Sequence, residues 1–266
     1  MESLRLYFRL IRIAFQSRME YRADFIIGII SVVLMNIISL GSIGILVSRF
    51  SNLNGWSLWQ MVFLYCLWLM GHSLYSLFFY HIRTLEDYLV QGTFDQFLIR
   101  PANVFVLFLG REVQYVGIAD LIFALTGSIL AYSNLGLVWD WKKWIFFGLA
   151  IISGTLIETT LTLMVACISF WTGRSRRAHG LIMHFGVMIQ QYPVDIYGSL
   201  FRVVVTGLIP VAFMNYYPAL MLLGKLDMQN PWWWLSYMSP VVALLMVGLA
   251  AGVWNLALQH YSSSGG

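Results

Sequence analysis

The sequence predicts an all-α, polytopic membrane protein: six transmembrane helices, an N-terminal amphipathic interfacial helix, and a re-entrant helical hairpin before the last span. Three observations carry that expectation. They are the share of apolar residues, a series of nearly charge-free runs long enough to cross a bilayer, and an uneven spread of arginine and lysine between the connections. Of the 266 residues, 59% are hydrophobic and 11% charged, against about 25% charged in soluble domains. The formal net charge of +4 is small and the basic residues are dispersed, so nucleic acid is not an expected partner. Cys66 and Cys167 lie far apart in apolar stretches, which argues for packing residues rather than a disulfide or metal framework.

A spanning helix needs about 20 apolar residues. The runs that meet or approach this are 25–48, 59–80, 113–132, 144–171 and 233–256, with a short fifth helix at 181–192. Residues 1–24 precede them and 260–266 form a tail, so 25–259 reads as one transmembrane domain. The first run begins after five arginines and is too long for the apolar core of a cleaved signal, so it is expected to be a permanent span.

Charge placement orients the bundle. With the N-terminus in the cytoplasm, the inside segments hold eleven arginines, among them Arg83, Arg100, Arg111 and the Arg174, Arg176, Arg177 cluster. The outside loops hold four basic residues: Arg49, Lys142, Lys143 and Lys225. This asymmetry predicts both termini inside and an even number of spans. Tryptophans agree, since Trp56, Trp59, Trp139, Trp141, Trp144 and Trp232–Trp234 all fall at the outer level, where indole rings favour the headgroups.

Two segments are not plain spans. The stretch 181–224 holds Pro193, Asp195, Arg202, Pro210 and Pro218 and must cross once, net. It reads as a helix broken at Pro193 followed by a re-entrant segment over 194–224; one long kinked helix reaching Leu208 is the alternative. Non-helical backbone at that depth requires cover by protein or water. At the N-terminus, Leu4, Phe8, Ile11 and Phe15 share one helical face while Arg5, Arg9 and Arg12 share another. This is the pattern of a basic helix lying in the cytoplasmic interface.

Motifs for catalysis are missing from the sequence. There is no GxxxxGK[ST], HExxH or GxSxG, and His72, His81, His179, His184 and His260 are scattered. No catalytic residue, metal site or bound cofactor is expected, and any energy source must lie on another polypeptide. The informative connection is the loop 81–112. It mixes charges with Tyr88, Leu89, Phe94, Phe97 and Leu98 at helical intervals, which suits either docking on a partner or resting on the bilayer. Gly92 reads as a helix stop, Thr93 as the N-cap of the next helix, and Pro101 as its end.

The string Gln91-Gly-Thr-Phe-Asp-Gln-Phe-Leu-Ile-Arg-Pro101 resembles the first cytoplasmic loop of type 2 ABC exporter permeases, where G-x-x-D-x-x-L-x-R-P recurs. The segments Tyr192-Pro-Val-Asp-Ile-Tyr197 and Ile209-Pro-Val-Ala-Phe-Met-Asn-Tyr-Tyr-Pro218, and the ending Tyr261-Ser-Ser-Ser-Gly-Gly266, are similar to one subgroup of bacterial six-span members. The resemblance implies a permease that pairs with a second, homologous permease over an ABC ATPase dimer, which carries the ATP and Mg. It also implies membrane lipids as surroundings and a multi-pass position in the bacterial inner membrane. The coupling residues it implies are Glu86, Asp87, Tyr88, Gly92, Thr93, Asp95, Arg100 and Pro101. Export of a hydrophobic or amphipathic substrate such as a lipid, drug or peptide is the function it implies. A secondary transporter is the alternative, although no internal repeat is visible.

Intramembrane charges face inward by default, so Asp120, Glu158, Pro193, Asp195, Arg202 and Pro210 are the pathway or gate candidates. Glu158, among Thr155, Thr159, Thr160 and Thr162, could line a path, join two permeases, or make a local hydrogen bond. Asp195 and Arg202 are seven apart and would share a helical face. Gly248 and Gly252 form a small-xxx-small pair that permits close packing.

Overall fold

The computed structural model describes residues 6–7, 9–13, 16, 22–50 and 54–261. Among these there is no β-strand. The long helices are α1 (Arg22–Phe50), α2 (Leu58–Phe79), α6 (Gly117–Asn134), α7 (Trp141–Cys167), α9 (Arg176–Gln191) and α12 (Ser239–Gln259). Between α2 and α6 lie a 3-10 turn (Tyr80–Thr84) and the short helices α3 (Leu85–Val90), α4 (Asp95–Leu98) and α5 (Val104–Leu109). One turn, α8 (Ser169–Thr172), extends α7. After α9 come a 3-10 turn (Val194–Ile196), α10 (Ser199–Val203), a π-helical turn (Val204–Leu208), a second 3-10 turn (Val211–Phe213) and α11 (Tyr216–Leu222). A last 3-10 turn (Trp233–Tyr237) leads into α12.

Five helices are long and apolar enough to cross a bilayer: 23–49, 58–90 with its 3-10 extension, 117–134, 141–172 and 239–259. A sixth crossing exists only if the bent pair 199–208 and 211–222 is one span. The sequence places the third span at 113–132, but helix α6 begins at Gly117, because residues 112–114 are irregular and Tyr115 and Val116 form the turn that enters the helix. The fifth helix starts earlier than 181, at Arg176, and its 16 residues cover roughly 24 Å. Alone it is short of a hydrocarbon core about 30 Å thick.

Helix α2 is the centre of the bundle. It is apolar all round and buried along most of its length, as a helix enclosed by others must be. It packs along α6 and α7, and α12 covers the far side of α7. Its start is defined by a capping box: Ser57 Oγ accepts from Gln60 N and Gln60 Oε1 accepts from Ser57 N. Asp140 starts α7 in the same way, accepting from Lys143 N at 3.1 Å. Helix α1 lies at the edge, with Ile27, Met35, Ile38 and Ile45 exposed.

Close helix approach is set by glycines other than the expected pair. A Cβ on Gly71 would stand 3.3 Å from the Thr155 backbone nitrogen, and one on Gly117 would stand 2.8 Å from the Ser73 carbonyl. One on Gly127 would lie 2.5 Å from Cys66 Sγ. Gly248 and Gly252 meet nothing within 4 Å; their face of α12 is open, and exposed Leu244, Leu245 and Leu249 flank it. Gly127→Ala should therefore destabilise the chain by about 1–3 kcal/mol, and Cys66→Ala in the same chain should restore it. Thermal melting in detergent checks this, and an unrescued double mutant would contradict the contact.

The segment after α9 is not a continuation of it. Tyr192 is extended (φ −128°, ψ 139°) and Pro193 follows at ψ 142°, so the helix stops at Gln191, as the residue before a proline favours. The continuous kinked helix to Leu208 is thus not what forms. Residues 199–208 and 211–222 meet at a bend of 80° across buried Pro210. Buried Asn215 anchors the far arm by donating to the Ile189 carbonyl at 2.9 Å and to Leu64 O at 3.4 Å. Trp139 Nε1 closes the end of α11 by donating to Leu222 O at 3.0 Å.

At the N-terminus, the expected apolar residues Leu4, Phe8 and Phe15 and the basic Arg5 lie outside the described residues. Those described are helical, and Leu6, Tyr7 and Leu10 pack against a second apolar core while Arg9 and Arg12 are exposed. Tyr7 donates to the Phe78 carbonyl at 2.6 Å.

Candidate functional site

The loop from Tyr80 to Glu112 folds into a compact body at the arginine-rich end of the bundle. Its centre is aromatic: Phe94 and Phe97 are buried with Phe108, and Tyr88 meets Phe97 and Phe108 edge-on at 5.4 and 5.7 Å. These rings belong to the second core, which also takes Ile82, Leu85, Leu89, Cys167 and Trp254. Gly92 ends α3 in the left-handed region (φ +66°). Thr93 N donates to Tyr88 O at 3.0 Å and Gly92 N to Leu89 O at 3.2 Å, the paired closure that favours glycine. Thr93 is not the N-cap of α4. That position is Phe94 with no side-chain cap, and the Thr93 hydroxyl turns back to Tyr88 O.

Three acidic residues of this loop bond within the chain. Glu86 Oε2 accepts from Ser175 N at 2.6 Å, Ser175 Oγ at 3.1 Å and Arg176 N at 2.8 Å. It supplies from another segment the cap that α9 lacks in its own Ser175. A carboxylate on the free N–H groups of a helix start is favoured by both hydrogen bonding and the helix dipole. Partial burial pushes the Glu86 carboxyl up, but the three donors and the Arg176 charge outweigh it and hold it below the ordinary carboxylate range. Asp87 pairs with the Arg176 guanidinium, and Asp95 accepts from Tyr261 OH at 2.9 Å. Arg111 lies over the Tyr88 ring and donates to Gln96 Oε1 at 2.8 Å.

What faces outward is a different set. Val90 is 64% exposed, Leu98 43% and Ile99 82%, with Arg100 and Pro101 exposed beside them. Sequence reasoning missed Val90 and Ile99. Both fall outside the aromatic stripe that fills the loop's own centre, and that exclusion was the available signal.

The two buried acids of the bundle are each paired locally. Asn36 Nδ2 donates to Asp120 Oδ1 at 2.7 Å, and Tyr65 OH donates to Asn36 Oδ1 at 2.6 Å, which ties α1, α2 and α6. Glu158 Oε1 lies 2.7 Å from His72 Nδ1, linking α7 to α2. His72 stacks on Trp68 and its Nε2 faces Ser76 Oγ at 3.4 Å. Glu158 Oε1 thus makes a local hydrogen bond, while its buried Oε2 has no hydrogen-bond partner among the described residues. The threonine stripe is largely satisfied by its own helix: Thr159 bonds Thr155 O and Thr160 bonds Leu156 O. Thr155 also reaches across to Gly71 O at 3.0 Å.

Asp195 and Arg202 do not share a helical face. Asp195 stands in a 3-10 turn and Arg202 in α10, and extended Tyr197 and Gly198 separate them. Trp56 Nε1 donates to Asp195 Oδ2 at 3.0 Å and Asn54 Nδ2 to Asp195 O at 3.1 Å, which pins the start of the bent segment to the connection before α2. Among the described residues no group of three His, Cys, Asp or Glu side chains could hold a metal ion.

Comparison with curated proteins and with solved structures finds no match. The sequence model of the family described as ABC-2 family transporter protein matches residues 23–265. That range takes in every long helix, the loop body and the bent segment, so the chain belongs to the ABC-2 transporter family as a multi-pass permease.

Proposed function

We propose that this chain forms half of the translocation pathway of an ATP-driven exporter and is driven by a separate ABC ATPase dimer that carries the ATP and Mg. A second, homologous permease completes the pathway in the bacterial inner membrane, with both termini cytoplasmic. The loop 81–112 is the coupling element. Residues 194–224 enter from the outside and return as a re-entrant hairpin, with Pro193, Asp195, Arg202 and Pro210 shaping the gate. The carried substrate is amphipathic.

The observation that supports docking is the cluster of Val90, Leu98 and Ile99 on the outward side of the loop body. These are large apolar side chains at the arginine-rich end, and they ride on helices already held by an aromatic core. Pre-organised apolar anchors ringed by charge suit a protein partner. Ile99→Asp should lower retention of the ATPase about thirtyfold in co-purification, with expression unchanged because the side chain packs on nothing inside the chain. Full retention by Ile99→Asp and by Val90→Asp would defeat the assignment. Orientation is tested separately by single cysteines at Asn54, Asp140 and Asp227 in a Cys66→Ala, Cys167→Ala background. They should react with an impermeant reagent in intact cells, and labelling only after permeabilisation would invert the topology.

A further inference from the structure

At the tryptophan-rich end, under the bent segment, lies a cavity of about 560 Å³. That size lies in the range of small-molecule sites. Its walls are apolar and aromatic, with Leu220, Trp232 and Trp233 among them, and Asp195, Arg202 and Tyr217 also open onto it.

Other charges near it are already committed. Lys225 Nζ donates to Gly55 O at 2.7 Å and to Gln60 Oε1 at 3.2 Å, and it lies over the Trp56 ring. Asp227 accepts from its own turn at Gln229 N. Asp195 and Arg202 differ from these. The donor to the Asp195 carboxylate is the neutral indole of Trp56, and its Oδ1 is buried with no hydrogen-bond partner among the described residues. The Arg202 guanidinium is exposed and makes no hydrogen bond or ion pair among the described residues. The two charges of opposite sign share one cavity without touching each other.

Part of the wall is a π-helical turn, Val204–Leu208, a distortion that recurs at functional sites. Its Thr206 hydroxyl lies 2.9 Å from Tyr217 OH, so one proton of that pair is free to turn toward an acceptor. Val203 before the turn and Leu208 at its end are 67% and 77% exposed, an apolar surface beside the cavity.

We infer that this cavity binds a zwitterionic amphiphile: a head bearing a primary amine and a phosphate, carried on an apolar tail. The phosphate meets Arg202 and the Thr206–Tyr217 hydroxyl pair. The ammonium lies toward Asp195 and the aromatic faces, and the tail leaves past Leu208. A guanidinium suits phosphate, and a carboxylate beside aromatic rings suits an ammonium. A singly charged ligand would meet only one of the two protein charges, which act on each other through space across the cavity. This names a ligand class for the exporter reading and rests on it for any role in transport. Binding itself requires no ATPase, so failure of docking at Ile99 and failure of this site are separate results.

The test uses the purified full chain in maltoside detergent, titrated by tryptophan fluorescence. The probes are lysophosphatidylethanolamine, lysophosphatidylglycerol, an alkylamine of equal tail length, and soluble glycerophosphoethanolamine. Lysophosphatidylethanolamine should bind about tenfold more tightly than either singly charged amphiphile. Arg202→Gln should reduce it to the alkylamine level and leave the alkylamine unchanged. Asp195→Asn, which keeps an acceptor for Trp56, should reduce it to the lysophosphatidylglycerol level. Equal affinity for all three amphiphiles, or indifference to Arg202→Gln, would mean apolar partitioning and overturn the proposal. Tighter binding of lysophosphatidylglycerol would make this an anion site instead. Binding of glycerophosphoethanolamine as strong as that of the lysolipid would remove the tail from the claim and assign the site to a soluble headgroup.

Discussion

Glu86→Ala should leave the permease folded and its ATPase bound, yet abolish substrate-stimulated turnover. Glu86 is only 12% exposed and faces its own chain, so it contributes little to a docking surface. Its carboxylate holds the start of α9 through two backbone N–H groups and the Ser175 hydroxyl. Helix α9 runs from that latch to Gln191 and passes through Pro193 into the bent segment, whose Asp195 is tied to Trp56. A push on α3 therefore reaches the proposed gate through one continuous helix, provided its near end is fastened. Removing the carboxylate loses charge-assisted hydrogen bonds worth about 1.5–3 kcal/mol and leaves the helix start uncapped. Hydrogen exchange should rise over 175–180 and not elsewhere. Glu86→Gln keeps an acceptor and should lie between alanine and wild type. Asp87→Ala should stay close to wild type, because its pair with Arg176 is solvent-exposed (side chains 41% and 70%) and such pairs are worth about 0–1 kcal/mol. An alanine variant with normal coupling, or one that releases the ATPase outright, would place Glu86 at the docking face after all. Reversing both acids to lysine tests this latch rather than the partner surface.

The largest stability effect is expected in the bundle centre. Glu158→Ala should destabilise the permease by about 3–5 kcal/mol, the usual result of removing one partner of a buried pair. Glu158 is 4% exposed and bonded to His72, which is stacked on Trp68. The double replacement Glu158→Leu with His72→Phe should recover most of that loss, since similar-volume apolar residues can replace a buried pair at little cost. Thermal melting of wild type, Glu158→Leu, His72→Phe and the double variant in one detergent gives the cycle. If the double variant melts with full stability but no longer supports turnover, the pair is kept for function rather than for the fold. If Glu158→Ala alone melts like wild type, the bond carries no stabilising weight.

Much of this protein is determined by local sequence. Long runs with few charges produced α1, α2, α7 and α12 nearly where the residue pattern places them, because a helix that must satisfy its own backbone in lipid has no competing structure. Gly92 and Pro193 were legible for the same reason: a positive φ and a missing N–H act within one turn. Intramembrane charge also singled out Glu158 and Asp195, and the family resemblance pointed to Glu86 and Asp95.

What they partner was decided by tertiary structure. Glu86 meets Ser175 across 89 positions and Asp95 meets Tyr261 across 166, and no periodicity carries that information. The same holds for the close crossings. Gly248 and Gly252 have the right spacing and an open face, whereas Gly71, Gly117 and Gly127 have no motif and sit where backbones meet. The loop 81–112 shows the reason most directly. Its apolar residues repeat at helical intervals, but a helix pattern states only that a face is apolar. Packing assigned Phe94 and Phe97 to the loop's own core and left Val90 and Ile99 outside, because rings that fill a closed volume exclude the side chains that point away from it.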